Sequence, residues 1–411
     1  MTSTRELIDD IYERSLEARK IVQRYAHRTP VDISATFSRM SGATVYLKYE
    51  NLQKTGSFKI RGALYKVYKV KNSARGVVAA SAGNHAQGVA FAAKSFGLPA
   101  VIVMPVSASI SKVEATKSYG AEVVLHGTIY DEAEAKAREI ARERGYAFIP
   151  AFDDPDIIAG QATLGHEILE DIEDFDVVVV PLGGGGLASG VSIAIKKNRP
   201  GVKIVGVEPA NVPKFTLSLK AGHPVTVRAR STIADGLAVK RPGELTFQIV
   251  REFIDEIVTV TEDELAQAIY LLLERGKVLA EGAGAASLAA ILSGKVRGIQ
   301  GKKVVALISG GNIDLTMLNR VLIRGLSFSG RIATLFGYVP DKPGMLAKVA
   351  AIIGSHRANI LEVLHDRSDV HAPPWHTALR VIVEVPSREE TKKILEDLRR
   401  EGFEFRAMNS F

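Results

Sequence analysis

Short runs of β-branched residues alternate with longer helical stretches from about residue 44 to residue 310, and this alternation limits the possible folds more than any other feature. Several runs are almost entirely apolar, which is typical of parallel strands covered on both faces. The alternation predicts an open, doubly wound α/β architecture. Because the strands are too numerous for one small sheet, we expect two α/β lobes with a cleft between them. The predicted strands are 45–49, 76–79, 100–104, 122–125, 147–149, 177–181, 203–207, 256–260 and 303–308, and the predicted helices are 86–96, 109–119, 130–145, 160–171, 186–198 and 262–279.

The rhythm changes after residues 327–330, which indicates a separate C-terminal domain. Its predicted order is βαββαβ, the ferredoxin-like α+β plan. We therefore predict one domain at 1–327, with a small lobe at about 50–155 inserted in the large lobe, and a second domain at 331–411. The predicted elements of the second domain are strands 334–339, 359–366, 376–385 and 403–407 and helices 345–355 and 388–401.

Composition excludes several classes of function. The net charge is +7 and is spread along the 411 residues without basic blocks, so we expect no nucleic-acid partner. The chain has no cysteine, which excludes disulfides, thiolate metal sites and a cysteine nucleophile. Residues 1–20 mix both charge signs and predict an amphipathic helix instead of a signal peptide. No apolar run is long enough to span a bilayer, and we expect a cytoplasmic protein.

The sequence around Lys59 predicts an unusual lysine. It lies between Phe58 and Ile60 in the run 55–63, with small residues on either side. Burying a lone ammonium is unfavourable, so such a lysine either has a lowered pKa or reacts with a carbonyl. A desolvated amine of this kind is what a Schiff base with pyridoxal phosphate requires. The alternative is a lysine whose stem packs while its ammonium reaches water.

Three glycine-rich or polar segments follow apolar strands. Gly183-Gly184-Gly185-Gly186 comes directly after 177–182 and before a helix, which favours backbone amides that converge on a phosphate. The segment 81–88 also opens a helix, and it predicts either a carboxylate site or an ordinary helix cap. Residues 309–312 end another strand. Ligands of open α/β sheets bind at the carboxyl ends of the strands, so these segments predict one side of a cleft.

Together, the segments 57–63, 81–88, 183–187 and 309–312 resemble the tryptophan-synthase-β (fold type II) family of pyridoxal-phosphate enzymes. Within it, the chain is most similar to the threonine dehydratases, also called threonine deaminases. The resemblance covers roughly residues 5–325, with every motif in the expected order. It implies two lobes of the tryptophan-synthase-β type and pyridoxal 5′-phosphate as the cofactor.

The resemblance also implies a role for each motif. Lys59 would be the Schiff-base lysine and the base that removes the α-proton, and Ser309 would face the pyridine nitrogen. A serine cannot protonate that nitrogen strongly, so elimination competes well with reprotonation. The other implied cofactor contacts are Phe58 against the ring, Asn84 at the ring hydroxyl, and Gly183, Gly184, Gly185, Gly186 and Leu187 at the phosphate. Ser81, Gly83, Asn84 and His85 would bind the substrate carboxylate.

Four positions bear on close relatives. Serine racemases of this family carry a serine where this chain has Ala82, which favours elimination over racemisation here. Relatives with a divalent cation use a glutamate, a backbone carbonyl and an aspartate. Glu208 and Val212 match the first two, but Lys214 stands in place of the aspartate and would repel a cation. We therefore expect no metal, with a monovalent ion as the alternative.

Two further segments have both a functional and a structural interpretation. Glu281-Gly282-Ala283-Gly284 resembles the substrate-side loop of the family, and a glycine-rich helix start with a favourable acidic residue explains it equally well. The run 341–349 resembles the signature turn of ACT domains, which are small amino-acid-binding modules, although a tight structural turn is the alternative. An ACT-like domain implies paired domains in a homodimer or homotetramer, with isoleucine or valine as the effector.

We expect a pyridoxal-phosphate lyase that converts L-threonine to 2-oxobutanoate and ammonia and also L-serine to pyruvate, in isoleucine biosynthesis or threonine breakdown. One alternative within the family is a serine racemase or a serine dehydratase. An alternative of another class is an inactive amino-acid sensor built around the ACT-like domain.

Overall fold

The computed structural model describes residues 4–408, so the first residues of the predicted N-terminal helix and the outer ends of both predicted domains, 1–3 and 409–411, lie outside the described residues. The chain forms two compact units that divide between Asp314 and Leu315. The domain bounds 1–327 and 331–411, and the bounds of the small lobe at about 50–155, stay predictions.

The first unit contains ten strands and twelve α-helices among its described residues. The strands are β1 (Val31–Ile33), β2 (Thr44–Tyr49), β3 (Val77–Ala80), β4 (Ala100–Met104), β5 (Glu122–Leu125), β6 (Ala147–Phe148), β7 (Val177–Pro181), β8 (Lys203–Pro209), β9 (Glu256–Val260) and β10 (Lys303–Ile308). The helices are α1 (Thr4–Tyr25), α2 (Ala35–Ser41), α3 (Lys59–Val70), α4 (Asn84–Ser95), α5 (Ile110–Ser118), α6 (Tyr130–Arg144), α7 (Pro155–Asp171), α8 (Gly186–Asn198), α9 (Lys214–Ala221), α10 (Glu244–Phe253), α11 (Glu262–Glu274) and α12 (Gly282–Leu292), with two short 3₁₀ helices at Glu50–Leu52 and Asp235–Leu237.

The strands of the first unit form two sheets. One has six strands in the order β1-β2-β10-β7-β8-β9, and the other has four in the order β5-β4-β3-β6. Every pairing is parallel except that of β1 with β2. The smaller sheet is made entirely of chain between β2 and β7. This arrangement confirms the predicted two-lobed, doubly wound α/β class.

Helix α3 packs between the smaller sheet and helix α7. On one side Ile60, Leu64 and Val67 belong to the same buried cluster as Val77 of β3. On the other side the backbones of α3 and α7 touch, because a Cβ on Gly160 would lie 2.5 Å from the Cα of Gly62. The helix that begins at Lys59 is therefore fixed on both faces.

The second unit contains α13 (Leu315–Phe328), β11 (Ile332–Pro340), α14 (Met345–Ser355), β12 (Asn359–Asp366), β13 (His376–Glu384), α15 (Arg388–Arg400) and β14 (Phe405–Ala407). Its sheet is antiparallel with the order β12-β13-β11-β14, which confirms the ferredoxin-like α+β prediction. The inner face is buried around Leu335, Val349 and Leu379. Strand β12 is an edge of this sheet.

Several boundaries differ from the predictions for local reasons. Helix α7 begins at Pro155 instead of residue 160, because Asp154 caps it by accepting from the backbone amides of Asp156 and Ile157. Helix α11 ends at Glu274 instead of residue 279, where Lys277 has a left-handed φ of 56°. The short β1 and the helices α2, α3, α9, α10 and α13 were not among the predicted elements, and α12 begins at the helix start that was one interpretation of residues 281–284. Among residues 4–408, no helix has both the length and the apolar character needed to cross a membrane.

Candidate active site

Lys59 lies in a cleft that is built from both sheets of the first unit. It is half-buried at the first residue of α3, and its Nζ donates a 2.8 Å hydrogen bond to the carbonyl of Ala151. The ring of Phe58 has its centroid 5.3 Å from the same nitrogen. Burial lowers the pKa of the Lys59 ammonium to about 8, and the Glu281 carboxylate acts in the opposite direction. This amine is closer to its neutral form at physiological pH than an ordinary lysine.

A buried ionic network holds the start of α3. The guanidinium of Arg61 is fully buried and donates to both carboxylate oxygens of Glu50, at 2.7 and 2.8 Å. The same group donates to both oxygens of Glu167 on α7, at 2.7 and 2.9 Å. Burial opposes ionisation of Glu50, but Arg61 overcomes this effect and the pKa of Glu50 is lowered. These bidentate contacts fix the backbone two residues from Lys59.

The glycines 183–186 form a concave turn between β7 and α8. Gly185 has a left-handed φ of 97°, a conformation that favours glycine. Phe152 packs beneath the turn, since a Cβ on Gly184 would lie 2.3 Å from its Cδ1 and a Cβ on Gly186 would lie 3.0 Å from its Cβ. Phe152 follows Ala151, whose carbonyl accepts from Lys59. The consecutive residues Ala151 and Phe152 therefore connect Lys59 to the glycine turn.

The backbone polarity of this turn suits an anion. The carbonyl of Leu182 accepts from Lys214 Nζ at 2.7 Å, and the carbonyl of Gly184 accepts from Thr246 Oγ1 at 2.8 Å. Within residues 4–408, no hydrogen-bond acceptor is found for the amides of residues 183–187. Carbonyls held on one side, free amides on the other and a following helix N-terminus form an anion cradle. These residues fit the phosphate of pyridoxal 5′-phosphate.

The segment after β3 presents a helix start to the cleft. The amide of Gly83 donates to Ser81 Oγ at 3.1 Å, and a Cβ on Gly83 would meet no atom within 4 Å. His85 is buried, and its Nε2 lies 2.9 Å from the carbonyl of Ile149. Burial and the charge of Lys59 lower the pKa of His85 to about 3, so the ring is neutral at physiological pH and Nε2 donates to that carbonyl. The imidazole is therefore engaged elsewhere, and His85 can offer a substrate only its backbone amide.

Asn84 connects this helix start to two other segments. Its Nδ2 donates to Glu281 Oε1 at 2.6 Å, and its Oδ1 accepts from Asn312 Nδ2 at 2.8 Å. Burial raises the pKa of the Glu281 carboxyl to about 7, with a smaller contribution from Asp235. Glu281 thus stands beside Lys59 as a second group that titrates near neutrality.

The end of β10 pairs with the loop before α3. The carbonyl of Ser309 accepts from the amide of Phe58 at 3.1 Å, and Gly310 forms an isolated antiparallel bridge with Ser57. The Ser309 hydroxyl is buried and donates a long 3.4 Å bond to the carbonyl of Ala283. The Ser57 hydroxyl is also buried, and it has no hydrogen-bond partner among residues 4–408. Unpartnered polar atoms beside Lys59 are consistent with a site that is completed by a ligand.

The structure brings most of the predicted site residues into one cleft. Lys59, Phe58 and Ser309 share backbone or ring contacts, the glycine turn lies next to Ala151, and Asn84 joins the cleft through Glu281. Ser81 and Gly83 border it, whereas the His85 side chain points away. The roles assigned to these residues stay predictions.

Sequence reasoning did not identify three residues of the site, and it left two interpretations of a fourth. The three are Phe152, Thr246 and Ala151. Each is separated from its partner by 32 to 92 residues in the chain, and no local sequence pattern identifies it. Glu281 had two interpretations, and the structure places its carboxylate in the cleft. The signal that identifies it was an acidic residue directly before a glycine-rich helix start.

The second unit has a pocket of about 260 Å³ at the predicted ACT-like turn. It is lined by residues 339–346 together with His365, Arg367 and Leu379. His365, His371 and His376 lie close in sequence, but among residues 4–408 no group of three or more histidine, aspartate or glutamate side chains has the geometry to hold an ion.

Two family profiles match the chain. The family described as pyridoxal-phosphate dependent enzyme matches residues 22–310, and the ACT domain matches residues 333–403. The chain is 47% identical over 392 residues to the L-threonine ammonia-lyase of Thermotoga maritima, which covers 95% of this chain and 97% of that protein.

Solved structures are also similar to this chain. The processed form of threonine deaminase isoform 2 from Solanum lycopersicum has a TM-score of 0.73 at 37% identity, over 77% of this chain and 93% of that one. Maize serine racemase has a TM-score of 0.72 at 35% identity, over 77% and 98%. With the cleft and the anion cradle described above, these matches show that the chain belongs to the pyridoxal-phosphate-dependent enzyme family and carries an ACT domain.

Proposed function

We propose that this chain is an L-threonine ammonia-lyase that converts L-threonine to 2-oxobutanoate and ammonia, with L-serine, which gives pyruvate, as a second substrate. The observation that carries the proposal is the amine of Lys59 beside a cradle of free amides, since the two sites are joined through Ala151 and Phe152. The names of the similar Thermotoga maritima and Solanum lycopersicum proteins support the choice of threonine. The proposal includes a cytoplasmic location and a role in isoleucine biosynthesis or threonine breakdown.

In this proposal several residues of the cleft hold the cofactor, and Lys59 also transfers a proton. When bound, pyridoxal phosphate supplies an electron sink for negative charge at the substrate α-carbon. Lys59 would hold it covalently, the amides of residues 183–187 would bind its phosphate, and Phe58, Asn84 and Ser309 would contact its ring. Lys59 Nζ, which is a free amine again once the substrate amine has taken its place, would take the proton from the α-carbon, a step that its lowered pKa of about 8 favours.

The start of α4 is proposed to bind the substrate carboxylate. Ser81, Gly83, Asn84 and His85 surround a helix N-terminus that opens on the cleft, and the positive end of the helix favours an anion there. In our proposal His85 contributes its backbone amide, because its ring donates to Ile149.

Loss of the α-proton and the β-hydroxyl removes one water from threonine. Hydrolysis of the released enamine adds one water and frees ammonia, so the overall reaction needs no redox partner.

Ala82 favours this elimination over racemisation. A racemase must place a proton on the face of the α-carbon opposite to Lys59, and Ala82 has no group that can carry one. The similarity to maize serine racemase shows that the fold alone does not separate the two reactions. An inactive sensor would not need a lysine with this environment.

The ACT domain supports an amino-acid effector. We propose isoleucine or valine at the pocket of residues 339–346, with ACT domains paired in a homodimer or homotetramer. The apolar side chains of Val339, Met345 and Leu346 suit a branched aliphatic ligand.

The test is keto-acid production from threonine and from serine, each with and without isoleucine and valine. Wild type should produce 2-oxobutanoate from threonine, and Lys59→Ala should abolish both this product and the visible absorbance of the bound cofactor. Lys54→Ala, which removes an exposed lysine of the same loop, is the matched control and should keep both. Product formation by Lys59→Ala, or serine racemisation faster than elimination in wild type, would overturn the proposal.

A further inference from the structure

Lys214 is a buried charged residue that the proposed reaction does not use. Its side chain is fully buried at the first residue of α9. The ammonium lies 2.7 Å from the carbonyl of Leu182, 3.2 Å from the carbonyl of Leu237 and 3.3 Å from Glu208 Oε1. These oxygens come from the end of β7, a 3₁₀ helix and β8, so one cation joins three separate elements.

The three oxygens form a cation site. Two carbonyls and a carboxylate are the kind of ligands that hard cations take in proteins. Glu208 is fully buried as well, and its oxygens also accept from the amides of Phe215 and Thr216. Burial lowers the pKa of the Lys214 ammonium, and the Glu208 carboxylate opposes that change. An unpaired carboxylate at this depth would be strongly unfavourable, so the pair favours a charged lysine.

This site lies directly behind the anion cradle. Leu182 precedes Gly183, and its carbonyl accepts from Lys214, so the free amide of Gly183 in the same trans peptide points the opposite way. Gly183 packs on the same 3₁₀ helix, since a Cβ on it would lie 3.0 Å from the carbonyl of Gly236. Phe215, next to Lys214, packs against Gly185. Lys214 therefore orients the peptide from which the cradle begins.

We propose that the ammonium of Lys214 is a built-in monovalent cation that positions the glycine turn for the cofactor phosphate. Lys214 is thus a positioning residue, and it makes cofactor binding independent of free monovalent cations at this site. The inference rests on the proposed placement of the phosphate at residues 183–187, but it does not depend on which amino acid the enzyme deaminates.

The test removes the tethered cation and supplies a free one. Lys214→Ala leaves a space lined by the three oxygens, and we expect its cofactor affinity to fall about tenfold or more in tetramethylammonium chloride, as for loss of a buried charged hydrogen-bonding group. Ammonium or potassium chloride at the same ionic strength should restore most of that loss. Cofactor affinity is read by absorbance titration of the cofactor-free protein, and thermal unfolding without cofactor is measured in the same salts.

Two further variants separate charge from packing. Lys214→Met fills the same space without charge, so its affinity should fall and no cation should restore it. Lys48→Ala is the matched control, because Lys48 is also fully buried, with Nζ 2.8 Å from the carbonyl of Thr29 and from Asp171 Oδ2 and 3.0 Å from Glu167 Oε2, and none of these partners belongs to the glycine turn. Only its response to cations is compared with that of the Lys214 variants, because Glu167 also holds Arg61 near Lys59. Cations should not alter cofactor affinity in the Lys48→Ala protein or in wild type.

The proposal is overturned if Lys214→Met binds the cofactor as wild type does, or if Lys214→Ala loses affinity that neither ammonium nor potassium restores. Failure of both Lys214 variants to fold, with or without ammonium, would also overturn it, because Lys214 would then be a structural residue. Threonine turnover by wild type is measured separately, so failure of the proposed reaction is distinguishable from failure of this inference.

Discussion

The pKa values of two titratable side chains in the cleft are shifted in opposite directions, which brings the two values close together. Burial lowers the pKa of Lys59 to about 8 and raises the pKa of Glu281 to about 7. Both groups therefore change protonation within a narrow range around neutral pH. Near neutral pH the cleft therefore contains both an amine that can accept a proton, Lys59, and a carboxyl group that can hold one, Glu281.

Glu281→Gln should change how stability depends on pH. The folded state keeps Glu281 protonated up to about pH 7, whereas the unfolded chain releases the proton near 4.5, so wild type loses stability as pH rises between these values. The full effect is at most about 3 kcal/mol for a shift of this size. Glutamine has no proton to lose. Between pH 5 and pH 8 the free energy of unfolding of the variant should therefore rise relative to that of wild type, as measured by denaturant unfolding of the cofactor-free proteins.

The control for this measurement is Glu114→Gln, which changes an exposed carboxylate of α5. It should follow the pH dependence of wild type. Identical pH dependence of Glu281→Gln and wild type would contradict the buried, proton-holding role of Glu281.

Contiguous motifs revealed Lys59 and the glycine turn from sequence, because their chemistry depends on neighbours in the chain. Phe152 could not be assigned in this way, and Lys214 was recognised only as standing in place of an aspartate that binds a cation in relatives. Each acts on the glycine turn from a distant segment, and only the sheet order β10-β7-β8 and the course of the chain around it bring them there.

At the scale of elements, helix α3 depends on its buried ions as much as on its apolar face. Arg61 is two residues from Lys59, and it is held by Glu50 and by Glu167 of α7. The bidentate contacts fix its position.

Arg61→Met should destabilise the first unit by about 3–5 kcal/mol, because it leaves the carboxylate of Glu50 buried without its partner. Denaturant unfolding followed by circular dichroism measures the loss. Since Glu50 has a lowered pKa in the wild-type fold, its favourable contribution is present above about pH 4.5 and is lost as pH falls through its folded value, so the destabilisation by Arg61→Met should shrink in acid.

The comparison variant is Arg138→Ala, which removes an exposed pair with Glu134 one turn away on α6. It should cost less than about 1 kcal/mol. A similarly small loss for Arg61→Met would contradict the positional role of the network.

Most elements were predictable from sequence because their apolar periodicity is strong. Strands β7 and β10 were predicted with their observed bounds. The start of α7 was misplaced, although Asp154-Pro155 carries the N-cap and N1 signal, because the apolar pattern begins later. The three-residue β1 is held only by its pairing with β2, which no local pattern could show.

At the scale of the whole molecule, the proposed chemistry and the proposed regulation lie in different compact units. Every residue proposed to hold cofactor or substrate precedes Asp314, and the pocket of the ACT domain lies beyond Leu315. A helix of the second unit, α13, lies before residue 331. Within the second unit α13 packs with β11, and the predicted break near residue 330 stays a prediction.

A chain that ends at Asp314 should keep more than about half of its threonine turnover, since a unit with its own core can fold alone. It should no longer respond to isoleucine or valine. Steady-state 2-oxobutanoate production with each amino acid added measures both properties.

Gly344→Val in the full chain provides the matched control. Gly344 has a left-handed φ of 87° in the wall of the pocket, so a branched side chain there strains the turn and narrows the site. Basal turnover should stay unchanged while the response to the effector is lost. A response that persists in the chain ending at Asp314 would show that the effector binds in the first unit.

The contact between Gly62 and Gly160 has a consequence for reading mutational scans of this enzyme. A Cβ at Gly62 would lie 2.9 Å from the carbonyl of Ile157, and one at Gly160 would lie 2.7 Å from the carbonyl of Arg61. Neither glycine carries a reactive group, yet any replacement would displace the helix that begins at Lys59. Both positions should therefore be as intolerant of substitution as Lys59, the proposed catalytic residue, and their intolerance would report shape instead of chemistry.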